Sequence, residues 1–151
     1  MFSASDVEPV DGVTWDDFED AAQFSAMLLE AKDFITSKRW CQAVLDMSVG
    51  IAEPGVVAVF LARLDVAAEA DDVLWLVVGD LPPAYLVVDD TDSSRDALRT
   101  YISLMRDWVA AAGEQRDTSE LIPVNVEANP ANAEALATRL DLLESLLARG
   151  G

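Results

Sequence analysis

Histidine is absent from this chain. That removes the usual general base near neutral pH, the commonest metal ligand and every histidine-dependent catalytic triad. Cysteine occurs once, as Cys41. One thiol excludes an intrachain disulfide and, without histidine, leaves no zinc ligand set. It fits a reducing compartment. Cys41 alternates with apolar neighbours and has no histidine to activate it, so it reads as a buried structural thiol. Positive charge is scarce: 10 Lys and Arg face 28 Asp and Glu, a formal net charge of −18, and none of the 10 precedes Lys32. Nucleic acid and anionic membrane surfaces both require a basic footprint, so neither is an expected partner. No uninterrupted apolar run approaches the ~18 residues of a membrane span. Met1–Asp6 lacks the basic region and apolar run of a signal peptide. The expected location is cytoplasmic.

What is present is apolar mass: hydrophobic residues make up 52% of 151 positions. That is enough for a sizeable core and too much for a disordered chain. The chain is organised around two short runs, Val73–Val78 and Tyr85–Val88, joined by Gly79-Asp80-Leu81-Pro82-Pro83-Ala84. Short runs rich in Val and aromatics, bounded by Asp, Gly and Pro, read as adjacent strands. Neither run alternates cleanly, as expected of strands covered on both faces.

The chain in order supports an α+β domain. Residues 1–12 read as a loose acidic lead-in, and 13–151 as a single domain. Thr14 can cap a first helix that reaches about Thr36, with Asp16 and Asp17 at its positive end and Val13 and Phe18 spaced as a hydrophobic staple. Phe24, Leu28, Ala31 and Ile35 form its buried stripe. From Trp40 to Ile51 the pattern alternates, placing Cys41, Ala43, Leu45, Met47, Val49 and Ile51 on one side of a half-buried strand. Glu53-Pro54-Gly55 turns the chain into a second strand, Val56–Asp65. With the two central runs this gives four consecutive strands joined by short connections, hence a four-stranded antiparallel meander.

Ser93 or Ser94 caps a second helix, whose apolar residues run from Leu98 through Trp108 to Ala112, with Gly113 at the C-cap position. Leu121–Val126 reads as an extended segment. Asn129-Pro130 opens a last helix with Leu136, Leu140, Leu143 and Leu147 on one stripe. The resulting order is helix, four-stranded meander, then two helices packed on the sheet. Helices on one face would leave a partly apolar second face, which would allow a homodimer.

Carboxylates are the remaining source of chemistry. Val87-Val88-Asp89-Asp90-Thr91-Asp92 resembles, over these residues alone, the opening motif of haloacid-dehalogenase-type phosphatases. That family also requires a downstream lysine and a parallel βα array. Here Lys32 and Lys38 lie upstream and the strands read as antiparallel. An EF-hand loop counted from Asp90 fails as well, with Arg95 at the glycine position and Tyr101 at the bidentate glutamate position. No catalytic, cofactor or metal residue is assigned, and the chain reads as a non-enzyme. A carboxylate-only enzyme using magnesium or calcium on Asp89, Asp90 and Asp92 is the least favoured alternative.

Binding is the leading expectation. In size and charge the chain resembles the small acidic immunity proteins that neutralise basic nuclease toxins. The likeness implies a basic protein partner, met by Asp16, Asp17 and Asp20 together with Asp71, Asp72, Asp89 and Asp90. Trp40 falls on the polar side of its strand and is the tryptophan expected to be exposed, where such residues often anchor interfaces. The alternative is a homo-oligomeric accessory protein using the second sheet face.

Overall fold

A computed structural model describes residues 6–67, 72–89 and 91–150. The chain gathers into two compact units, Met1–Ala97 and Leu98–Gly151.

In the first unit, Asp17 rather than Thr14 starts the first helix, α1 (Phe18–Thr36), by accepting the Glu19 N–H at 2.9 Å. A carboxylate is as good a cap as a hydroxyl and better suited to the helix dipole. Moving the cap by three residues moves the staple positions from Val13 and Phe18 to Asp16 and Ala21, which cannot form an apolar clasp. The expected staple is therefore absent, and Phe18 is 87% exposed.

Five strands follow the order β1-β2-β3-β4-β5 with every pair antiparallel. β2 (Cys41–Glu53), β3 (Val57–Val66), β4 (Val73–Gly79) and β5 (Ala84–Val87) are the expected meander. The fifth strand, β1 (Glu8–Pro9), pairs with Val49 and Ser48 of β2 and is followed by a 3-10 turn at Val10–Gly12. Both lie in the stretch read as a loose lead-in.

The largest departure is within β2. Its register against β3 shifts between Cys41 and Ala43, Val44 and Asp46, and Val49 and Ala52. Each bulge adds a residue and delays the return to the core face. The core face consequently takes Cys41, Val44, Met47, Val49 and Ala52. Leu45, expected inside, is 51% exposed, and Ala43 and Ile51 are half-buried.

α1 covers one face of the sheet. Phe24, Met27, Ala31 and Ile35 pack into a core with Phe60, Leu64, Leu74, Leu76 and Val78. Each large side chain so buried stabilises by roughly 1.5–3 kcal/mol, far more than helix propensity supplies. Val57, Val59, Trp75 and Val77, which alternate with that set, are fully buried too, and Leu61 and Val73 of the same face are half-buried. The Trp75 indole N–H donates to the Thr91 carbonyl at 3.1 Å.

α2 (Ser94–Gly113) begins in the first unit, where Ser93 Oγ accepts the Asp96 N–H at 3.1 Å. In the second unit its buried stripe includes Leu98, Tyr101, Met105 and Trp108. The left-handed cap is at Gln115 (φ 58°), not Gly113. There the Arg116 N–H reaches the Ala111 carbonyl and the Gln115 N–H the Ala112 carbonyl, the paired closure of a Schellman motif. Leu121–Val126 forms no strand. α3 (Pro130–Gly150) is capped by Asn129, whose Oδ1 accepts the Asn132 N–H at 2.8 Å. Its four expected leucines are buried. Arg106 of α2 bridges to Asp141 at 2.8 Å and to Glu144, and both carboxylates raise its pKa by holding the guanidinium charged.

Candidate partner-binding surface

The two ends of the first unit's sheet differ in chemistry, and the strand register assigns each residue to an end. One end holds the β2–β3 turn, the close of β4 and the start of β5, because Glu53 pairs with Val57 and Val57 with Gly79. α1 begins there: a Cβ on Gly55 (φ 79°) would stand 2.9 Å from Gln23 Oε1, so the turn and the second turn of α1 are neighbours. The Asp80 N–H donates to the Val56 carbonyl at 3.0 Å and ties the β4–β5 connection to the same place.

Asp16, Asp17 and Glu19 are exposed on the approach to α1, as are Glu53 and Asp80 at the strand ends, while Asp20 is half-buried. The sequence has no Lys or Arg from residue 6 to 31 or from 40 to 62. Asp16, Asp17, Glu19, Asp20 and Glu53 therefore lie on stretches of sequence that carry no Lys or Arg of their own. Phe18 projects from the midst of them. Beneath, the Trp15 ring lies 5.3 Å from Phe24, and its indole nitrogen is buried with no hydrogen-bond partner.

The other end holds the start of β2, the connection from β3 to β4, and the end of β5. Asp72 and Asp89 are exposed there, and the Asp72 carbonyl accepts the Leu64 N–H at 2.7 Å. Trp40 is half-buried rather than standing free on the polar side of its strand. It meets Tyr85 edge-on at 5.3 Å and packs against the core margin. The bulge at Cys41–Ala43 breaks the alternation on which its expected exposure rested. The Lys38 ammonium sits 4.6 Å above the Phe34 ring and 5.9 Å from Tyr85, a cation held by aromatic faces. Lys38 and Arg39 offset the acidity of this end.

The expected surface is thus divided. Asp16, Asp17 and Asp20 share one end, and Asp72, Asp89 and Trp40 the other, separated by α1, which is roughly 28 Å long at 1.5 Å per residue. Asp71 and Asp90 lie outside the described residues. Phe18 is the residue that sequence reasoning missed. Its signal was the Asp-Asp pair before it: with Asp17 as cap, Phe18 becomes the first helical residue, whose side chain leans back past the helix start.

Among the described residues no three Cys, Asp or Glu side chains form a group able to hold a metal ion. No helix among them is long and apolar enough to cross a membrane. Cys41 is buried, and that burial raises its thiol pKa, with Asp65 adding to the rise against the opposing effect of a backbone hydrogen bond with Ala43. A thiol so held is a poor nucleophile at neutral pH. Glu30 is also raised, by partial burial. The chain matches no family model, no curated protein and no solved structure.

Proposed function

We propose that this chain is a non-enzymatic acidic binding protein that engages a basic protein, such as a toxin, at the end of the sheet marked by Phe18. The observation that carries this reading is the placing of one exposed aromatic ring among Asp16, Asp17, Glu19 and Asp20 with no nearby cation in the sequence. Charge steers a basic partner and raises the encounter rate, while a desolvated aromatic anchor slows dissociation. The division of labour is testable because the two terms respond to different changes. Salt screens the carboxylates over a Debye length of about 8 Å at physiological ionic strength and leaves the apolar contact largely intact.

The experiment is capture from nuclease-treated lysate of the source cell, with washes at low and then high salt, followed by titration of the recovered protein. A basic protein released by high salt is the expected result. Phe18→Ser should weaken its binding by about 30-fold, the effect of a hot-spot residue worth some 2 kcal/mol. Asp16→Asn/Asp17→Asn/Asp20→Asn should slow association and flatten its salt dependence. A captured protein whose affinity is unmoved by both changes would refute the reading.

A further inference from the structure

We propose that residues 6–12 form a detachable strap, latched by Asp6 onto the start of α2, and that release of the latch lets the strap of a second copy pair with β2. The Asp6 carboxylate accepts the Ser94 N–H at 2.7 Å, the Ser94 hydroxyl at 2.6 Å and, more distantly, the Arg95 N–H at 3.4 Å. These are charge-assisted bonds at the positive end of a helix dipole, the strong kind. Ser94 is 1% exposed. The strand beneath accommodates the latch: a Cβ on Gly50 would stand 2.2 Å from Ser94 Oγ and 3.2 Å from the Asp6 carbonyl oxygen. Only glycine lets β2 pass so close.

Away from Asp6 the strap is held lightly. β1 has two residues, both exposed, and Pro9 has no N–H to donate. Val10 is only partly buried against the core margin. From Met47 back to Ala43 the outer edge of β2 carries no strand among the described residues, since β1 reaches only Ser48 and Val49. A groove of about 500 Å³, lined by Pro9, Val10, Lys32, Val44, Leu45 and Met47 among others, runs beside that edge. It starts where the strap leaves the sheet and so continues an interface the strap already makes.

A bare strand edge recruits another strand. Val13–Asp17 is neither helix nor strand and can serve as the hinge. The segment that pairs with this strand, at Ser48 and Val49, is the strap itself, so the occupant of those positions after release is the strap of a second copy, exchanged reciprocally.

The test uses the full chain carrying Asp6→Ala or the milder Asp6→Asn. Hydrogen exchange is read by mass spectrometry over peptides covering 44–50 and 94–97, and mass by light scattering across a concentration series. Loss of bonds to a charged group predicts exchange about 10- to 100-fold faster in Asp6→Ala, with a smaller rise in Asp6→Asn, and a dimer that grows with concentration. Adding Pro9→Cys/Ser48→Cys and oxidising it at high dilution, so that the cross-link closes within one copy across the observed Pro9–Ser48 pairing, should return exchange and mass to those of the unmodified chain, whereas oxidation at high concentration should trap a covalent dimer. Should Asp6→Ala fail to fold, as circular dichroism would reveal, Asp6→Asn carries the test. Unchanged exchange in a folded variant overturns the latch. Faster exchange with a monomer at every concentration overturns the exchange of straps.

Discussion

Trp40 and Phe18 stand at opposite ends of one sheet. Trp40 is anchored on both sides: its carbonyl accepts the Ala67 N–H at 2.9 Å, and its ring meets Tyr85. Phe18 occupies the first position of α1, where the chain before it turns away, and its ring meets water. Tryptophan on a nominally polar strand face is drawn in, while phenylalanine at a nominal staple position is left out. Side-chain hydrophobicity is similar in the two cases. The difference comes from the backbone: a bulge in one case and the choice of cap in the other.

The acidic end depends on a tight junction between the β2–β3 turn and the close of β4, and breaking that junction should have the largest effect. Gly79 has φ 139°, and a Cβ there would lie 2.2 Å from the Val56 carbonyl oxygen. Gly79→Ala is expected to cost about 3 kcal/mol in urea unfolding, from strain and displaced backbone together. Next comes the contrast itself. Trp40→Ala should destabilise by about 2 kcal/mol, from lost packing and the edge-on contact with Tyr85, while Phe18→Ser should stay within ~0.5 kcal/mol, as exposed positions do. Equal losses would show that the two rings are equally structural and would remove the reason to assign Phe18 to binding. The smallest effect sharpens the carboxylates' role. Asp17→Ala should cost about 1 kcal/mol as a lost cap, whereas Asp17→Asn keeps the cap and removes only charge. Thermal unfolding of the pair separates the structural part of Asp17 from any part it plays toward a basic partner.

The fold was largely legible because its signals are local. The stripe of α1, the valine-rich runs of β3 and β4 and the Asn129-Pro130 start of α3 each announce themselves within a few residues. What the sequence concealed depends on distant pairing. The bulges of β2 arise only against β3, so a clean alternation from Cys41 to Ile51 misplaced Leu45 and Trp40. β1 is two residues long and includes a proline, too short for any period to show. Its latch joins Asp6 to Ser94 across the length of the sheet's sequence. The acidic residues of the surface could be named but not grouped. Grouping them requires the strand register, which places Asp72 and Asp89 at the far end from Asp16.

The charge arrangement along the sheet has a mechanical consequence. Asp16, Asp17, Glu19 and Asp20 at one end, against Asp72 and Asp89 mixed with Lys38 and Arg39 at the other, distribute charge unevenly along the strands and so give the unit an electric moment. The half-charge at the start of α1 opposes it and is outnumbered by the neighbouring acids. A passing cationic molecule exerts torque on such a moment before any atoms touch. The protein then turns one pole toward the visitor, and fewer collisions are wasted on wrong orientations, the very loss that keeps most docking rates far below the diffusion limit.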